Sequence, residues 1–82
     1  MPGVLDAEGR ALFEALRRHR LGLARREGVP PYVIASDRTL REIAVLRPRN
    51  LRELELAYGI GPAKREKYGA GLLSVVLHGG VP

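Results

Sequence analysis

The sequence predicts an all-α fold, a compact five-helix orthogonal bundle with four longer helices and one short helical turn. Apolar residues recur every three or four positions near both ends of the chain, as in amphipathic helices. Prolines, glycines and side-chain caps separate the helical segments. No stretch alternates apolar and polar residues as a half-buried strand does.

The first and longest helix is predicted over Asp6 to Glu27. Asp6 is its N-cap, and Gly28 is the residue past its end. Its apolar stripe consists of Leu12, Leu16, His19 and Leu23, widened by Phe13 and Ala24. The opposite face carries Arg10, Arg17, Arg18, Arg25 and Arg26. Leu21 lies outside the stripe, and we expect it to be exposed.

A double proline, Pro30-Pro31, follows and prevents a regular helix from continuing. The apolar residues from Tyr32 to Ala35 are too few for a long helix, so we expect one helical turn here. Ser36 and Asp37 can then cap a new helix. This segment therefore ends one helix, contributes apolar side chains to the core and starts the next helix.

The next helix is predicted over Asp37 to Leu46, with Pro48 ending it. Its inward residues are Leu40, Ile43, Ala44 and Leu46. A capping box from Asn50 to Glu53 then opens a short helix through Tyr58. Its inward residues are Leu51, Leu54 and either Ala57 or Tyr58, and we favour a core position for Tyr58.

The last helix is predicted from Pro62 to His78, with proline at its first position. Its apolar stripe contains Tyr68, Leu72 and either Val75 or Val76. Gly69 and Gly71 weaken the helix locally, which indicates close approach of another helix. We expect residues 79–82 to form a fraying tail.

The length of 82 residues fits one domain, with a core over about residues 6–78. There are no cysteines, so disulfides and thiolate metal sites are excluded. No apolar run is long enough to span a membrane, and Met1-Pro2-Gly3 does not resemble a secretory leader. We therefore expect a cytoplasmic protein.

The sequence offers little for catalysis. His19 and His78 lie near opposite ends of the chain, and no carboxylates accompany them at metal-ligand spacing. No phosphate-binding Walker loop is present. His19 lies on an apolar stripe, which favours a satisfied histidine in or beside the core over a catalytic one. We predict no catalytic residues, no metal site and no cofactor.

The net charge is +5, from 14 basic and 9 acidic residues, and this excess favours a polyanionic partner. Arginine stems that cover a small core are the other explanation. In the sequence Tyr32 lies between Arg25 and Arg26 on one side and Arg38 and Arg41 on the other. An exposed Tyr32 could stack on an unpaired base, whereas a buried one would fill the core.

Gly59 and Gly61 precede a helix that carries Lys64 and Arg65, a pattern that can bind phosphate through backbone N–H groups. It partly resembles the turn of helix-hairpin-helix DNA binders, although Arg65 stands where that motif has a small residue. The alternative is that Gly59 ends the preceding helix and Gly61 only permits the turn.

Together these segments resemble the HRDC domain, found at the C-terminus of RecQ-type helicases and of ribonuclease D enzymes. The similarity covers about residues 8–78 and is strongest to the helicase branch. The matching segments are Ala11-Leu12-Phe13-x-x-Leu16, Val29-Pro30-Pro31-Tyr32-Val33-Ile34, Ser36-Asp37-x-Thr39-Leu40-x-Glu42-Ile43-Ala44, Leu54, Gly59-Ile60-Gly61-x-x-Lys64 and Tyr68-Gly69.

The resemblance implies a monomeric, non-catalytic accessory module, here the C-terminal part of a larger bacterial helicase at the nucleoid. Members bind single-stranded or branched DNA weakly, or contact the helicase core of the same chain. By resemblance, Tyr32 and its neighbouring arginines correspond to the DNA-contacting surface, and Lys64 to a basic position of the last helix. The sequence departs from the family at His19, usually a large apolar residue, and at Leu21, usually polar. An exposed Leu21 would favour a protein contact.

Overall fold

The computed structural model describes residues 5–79. It contains five α-helices: α1 Ala7–Glu27, α2 Pro31–Ile34, α3 Asp37–Leu46, α4 Leu51–Leu54 and α5 Pro62–His78. The all-α prediction is confirmed. The prediction that residues 1–3 are not a secretory leader lies outside the described residues, and so does the predicted tail over residues 79–82 apart from Gly79, the C-cap of α5.

The long helix α1 is the centre of the bundle, and it packs against α2, α3 and α5, while α4 packs against α5. Asp6 caps α1 as predicted, because its carboxylate accepts a 2.7 Å hydrogen bond from the Gly9 N–H. Gly28 ends α1 with a left-handed φ of 67°. The largest fully buried side chains are Leu16, Ile34, Leu40, Ile43, Leu54, Leu72 and Pro48.

The double-proline segment forms the predicted single turn of helix, α2. It places Ile34 and Ala35 in the core, each 1% exposed. Ser36 then caps α3, since its hydroxyl oxygen accepts a 3.1 Å hydrogen bond from the Thr39 N–H. The segment thus ends α1, forms one helical turn and starts α3, as its prolines and cap predict.

Arg20 of α1, which the sequence does not single out, fastens this junction. It is 8% exposed. Its Nη1 donates a 3.0 Å hydrogen bond to the Ala35 carbonyl oxygen, and its Nη2 lies 2.8 Å from the Asp37 carboxylate. A charged side chain is tolerated at a buried position when such partners receive it. Arg20 thereby connects α1 to the start of α3.

Two predicted core positions near α4, Leu51 and Tyr58, are wrong. Helix α4 ends at Leu54, and the chain continues in turns in which Leu56 and Ala57 donate to the carbonyl oxygens three residues earlier. The helical register is lost, so Ala57 is buried at 3% exposed while Tyr58 is 51% exposed. Leu51, at the first residue of α4, is 39% exposed.

Leu46 is also exposed, contrary to the prediction, at 44%. It is the last residue of α3, and the next residue, Arg47, ends the helix with a left-handed φ of 48°. The chain turns there, and Pro48 is the residue that becomes fully buried.

The glycines of α5 lie at close helix contacts, as predicted. A methyl group on Gly69 would lie 2.9 Å from the Leu51 side chain of α4. One on Gly71 would lie 2.9 Å from Nε2 of His19 on α1. Tyr68 is buried as predicted, at 9% exposed. These contacts let α4 and α1 approach opposite parts of α5.

Candidate nucleic-acid interface

Tyr32 is presented to solvent by the double-proline junction. It is 72% exposed, so the alternative in which it fills the core is wrong. Ile34 and Ala35 take the core positions of this short segment, and the single turn of helix directs Tyr32 outwards. The exposed ring offers the kind of aromatic face on which an unpaired base can stack.

Arg25 and Arg26 lie in the last turn of α1, just before this junction. Both are exposed, and neither forms an ion pair with any residue in the described range 5–79. Positive charges are favourable at a helix C-terminus because they interact with the helix dipole. Both guanidinium groups are thus available to an anionic partner.

The two predicted arginines that follow Tyr32 contact other aromatic rings. The Arg38 guanidinium lies 3.8 Å from the centre of the Tyr58 ring. Arg41 lies 5.3 Å from the centre of the Phe13 ring, which Arg17 approaches at 5.7 Å. The structure therefore divides the predicted residues into two groups. Tyr32 lies exposed on α2, whereas Arg38 and Arg41 of α3 form cation–π pairs with Tyr58 and Phe13.

The glycine turn before α5 is shaped by tertiary contact. Gly59 has a φ of 82°, and a methyl group there would lie 2.7 Å from the Thr39 hydroxyl oxygen. The interpretation of Gly59 as a helix-ending residue is wrong, because Glu55 occupies the C-cap of α4. Gly61 is the N-cap of α5 and provides no side-chain cap.

The two basic residues of this turn differ in their surroundings. Lys64 is half-buried and forms no ion pair with the described residues. Arg65 donates a 3.1 Å hydrogen bond to the Glu55 carboxylate, so much of its charge is compensated. Of the two, Lys64 is the better candidate for a phosphate contact.

A polar cluster joins the end of α1 to α5. The Tyr68 hydroxyl donates a 2.9 Å hydrogen bond to Glu27, and Lys67 lies 3.3 Å from the same carboxylate oxygen. The hydrogen bond from Tyr68 lowers the pKa of Glu27, and Lys67 lowers it further. This cluster holds the end of α1, and with it the helix turn that carries Arg25 and Arg26.

His19 occupies its predicted place beside the core, but it is not satisfied. Its Nε2 is buried and lacks a hydrogen-bond partner within the described part of the chain. Burial lowers the pKa of His19, and the positive charge of Arg26 lowers it further. The His19 ring packs against Gly71 of α5, and its burial there favours the neutral imidazole.

Residues 9–76 match the family model of the HRDC domain. The chain belongs to the HRDC domain family. Members of this family are non-catalytic accessory domains. Within residues 5–79, no helix is both long enough and apolar enough to cross a membrane.

Several relatives are DNA helicases by name. The ATP-dependent DNA helicase RecQ of Bacillus subtilis is 47% identical over 62 residues, which are 76% of this chain and 10% of that protein. The ATP-dependent DNA helicase UvrD2 of Mycobacterium tuberculosis is 41% identical over 65 residues, 79% of this chain and 9% of that protein. The chain thus spans about a tenth of the length of these relatives.

The solved structure of HRDC domain 3 of D. radiodurans RecQ has the same fold. It superposes with a TM-score of 0.81 and is 33% identical, covering 85% of this chain and 92% of that domain. The helical bundle predicted from the sequence is thus the fold of an HRDC domain from a RecQ helicase.

Proposed function

We propose that this domain is an accessory nucleic-acid-binding module of a larger bacterial RecQ-type DNA helicase, acting at the nucleoid. In this proposal it binds single-stranded or branched DNA weakly and modulates substrate choice in repair and recombination. The observation that supports DNA contact most directly is Tyr32, which is 72% exposed at a junction preceded by Arg25 and Arg26. The names of the RecQ and UvrD2 relatives support a helicase parent.

The physical basis is a combination of stacking and charge. A base that stacks on an aromatic side chain contributes about 1–3 kcal/mol, largely independently of sequence. Each phosphate neutralised on a single strand releases about 0.7 counterions, which makes affinity fall as salt rises. An exposed tyrosine with two unpaired arginines supplies both terms, but few contacts of each kind, so the binding is weak.

The stacking term is tested by fluorescence anisotropy with a labelled oligothymidylate at low salt. We expect Tyr32→Ala to weaken binding by about fivefold or more, as expected for loss of one stacked base. The matched control is Val33→Ala, since Val33 is the neighbouring residue of α2 and is 45% exposed. Thermal melts followed by circular dichroism should be unchanged for both variants. Equal binding by the wild type and Tyr32→Ala would refute the role of Tyr32.

The charge term is tested by the dependence of affinity on salt. Replacing both Arg25 and Arg26 by glutamine should reduce the slope of log affinity against log salt by roughly 1.4, the value for two phosphate contacts. The control is a double Arg49→Gln, Arg52→Gln variant with the same loss of charge on another part of the surface. A slope unchanged by the first pair, or changed equally by both, would contradict specific contact at the end of α1.

A second candidate function is docking on the helicase core of the same chain. Leu21 of α1 supports it, because this leucine is 39% exposed. Glu53 and Glu55 are acidic residues that could also take part in such a contact, but Glu53 already pairs with Arg49 and Glu55 with Arg65. Leu21→Asp in the intact helicase should change ATP turnover if docking regulates the enzyme. Unchanged turnover, with altered DNA binding in the Arg25, Arg26 variant, would favour the DNA function.

A further inference from the structure

Arg38 and Tyr58 form a stacked pair on the surface of the molecule. The guanidinium carbon lies 3.8 Å from the centre of the ring, which is the distance of direct van der Waals contact. The Arg38 side chain is nevertheless 65% exposed, and Tyr58 is 51% exposed. The pair thus presents a planar, solvent-facing guanidinium backed by an aromatic ring.

Glu42 holds both members of the pair. One of its carboxylate oxygens accepts a 2.8 Å hydrogen bond from the Tyr58 backbone N–H. The other lies 3.5 Å from Nε of Arg38, one turn earlier on α3. A single side chain therefore fixes the backbone under the ring and the guanidinium over it.

The backbone next to Tyr58 is fixed as well. Gly59 packs so closely on Thr39 that a methyl group there would lie 2.7 Å from the hydroxyl oxygen. Because Thr39 and Glu42 both belong to α3, the turn that carries Tyr58 is attached to the helix that carries Arg38. The stacked geometry is therefore preorganised, and a ligand would not have to order it on binding.

We propose that the Arg38–Tyr58 pair is a second stacking platform, which receives one unpaired base of a single strand. Guanidinium planes and aromatic rings are the surfaces on which proteins stack splayed bases. This inference rests on the proposed function, since it assigns a further base to the same DNA. Glu42 offsets the charge of Arg38, so the platform contributes stacking and adds little to the salt dependence.

A purely structural role for the pair makes a different prediction. If Arg38 only attached α3 to the turn before α5, its loss would lower stability and leave affinity unchanged. Lysine keeps the charge of Arg38 but lacks the planar group that stacks. Arg38→Lys therefore separates stacking from charge, and Tyr58→Leu removes the ring while keeping an apolar side chain.

The experiment measures binding of the 82-residue chain to a labelled oligothymidylate and to an abasic strand of equal length, at low salt. We expect Arg38→Lys and Tyr58→Leu each to weaken binding to oligothymidylate by about fivefold or more. Both should bind the abasic strand as the wild type does, and the salt slope should be unchanged. The matched control is Arg18→Lys on α1, which should bind both strands normally.

The outcomes separate this inference from the proposed function. If the wild type binds neither strand, both fail. If Tyr32→Ala weakens binding while Arg38→Lys and Tyr58→Leu match Arg18→Lys, the second platform is refuted and the proposed function stands. If Tyr58→Leu proves unfolded by circular dichroism, Arg38→Lys and Tyr58→Phe still decide the question. The platform then requires weakened binding in Arg38→Lys and normal binding in Tyr58→Phe.

Discussion

The double-proline junction and the glycine turn before α5 both connect helices, but the sequence predicts the structure of the first better than that of the second. The junction forms the short helix and the capped restart that its prolines and Ser36 predict. At the glycine turn the predicted helix stops at Leu54, and Tyr58, expected in the core, is 51% exposed. In each segment a charged residue from another helix binds the chain, Arg20 at the junction and Glu42 at the turn.

The contacts of these residues explain why the sequence predicts the junction better than the turn. Arg20 secures a junction whose backbone is already restricted by two prolines and a helix cap, so it stabilises a conformation that the local sequence favours. Glu42 and Thr39 act on a turn whose own residues permit several conformations. Local sequence therefore predicts the structure where prolines and caps restrict the backbone. Where they do not, contacts with residues distant in sequence determine the conformation. Four stability measurements test this, taken from the largest expected effect to the smallest.

Arg20→Met removes the fastening of the junction while keeping a side chain of similar length. The Ala35 carbonyl oxygen loses its charged donor in a buried position, which costs about 2–3 kcal/mol of unfolding free energy. For a domain of this size, the midpoint of thermal unfolding should fall by roughly 10–20 °C. The measurement is a thermal melt followed by circular dichroism. Arg18→Met, on the exposed face of α1, is the control and should stay within about 0.5 kcal/mol.

Gly59→Ala breaks the glycine turn where a contact from α3 shapes it. The left-handed φ of 82° and the 2.7 Å approach to Thr39 both oppose a methyl group, so we expect a loss of about 1–3 kcal/mol. The control is Gly61→Ala, which meets no atom within 4 Å and has a φ of −91°. Urea denaturation of Gly59→Ala in a Thr39→Ala background should show a smaller loss, because the contact is gone and only the backbone strain remains. Equal losses at the two glycines would undermine the proposed importance of Thr39.

The third measurement concerns His19, which lies at neither connection, and it uses pH. Because burial lowers the folded-state pKa of His19 below 6.5, the unfolded chain binds the proton more readily. The contribution of neutral His19 to the free energy of unfolding is thus complete above about pH 6.5. It is lost as the pH falls towards the lower folded-state pKa. Urea denaturation at pH 7.5 and 5.5 should show this loss. In His19→Leu the difference between these pH values should shrink, and an undiminished difference would assign it to other groups.

The smallest expected effect is a gain at Gly22, in the middle of α1. Gly22 lies in regular helix, and a methyl group there meets no atom within 4 Å. Gly22→Ala should therefore raise the unfolding free energy by about 0.5–1 kcal/mol, by the difference in helix propensity. This variant measures the effect of an added methyl group at a position with neither a left-handed backbone nor a close neighbouring atom. A loss at Gly22 would mean that the effect at Gly59 cannot be assigned to its contact.

The sequence predicts which residues belong to the candidate interface better than it predicts which of them lie together. Tyr32 and the arginines around it were identified from type and spacing, and Tyr32 is exposed as the stacking hypothesis requires. The sequence does not predict the pairing of Arg38 with Tyr58, because its pattern places Tyr58 on the apolar stripe of a helix that in the structure ends at Leu54. Nor does it predict the contact of Arg20, since an arginine next to an apolar stripe gives no sign that a carbonyl group 15 residues away will receive it.

By itself, the sequence determined the helical class, the bounds of α1, α3 and α5, and the form of the proline junction. These depend on periodicity, caps and restricted backbone angles, which act over a few neighbouring residues. Only the tertiary structure decided that Arg20 is buried, that Leu46 and Tyr58 are exposed, and that Glu42 holds a stacked pair on the surface. These depend on which side chains meet across helices, and a contact between distant residues can reverse what the local pattern favours.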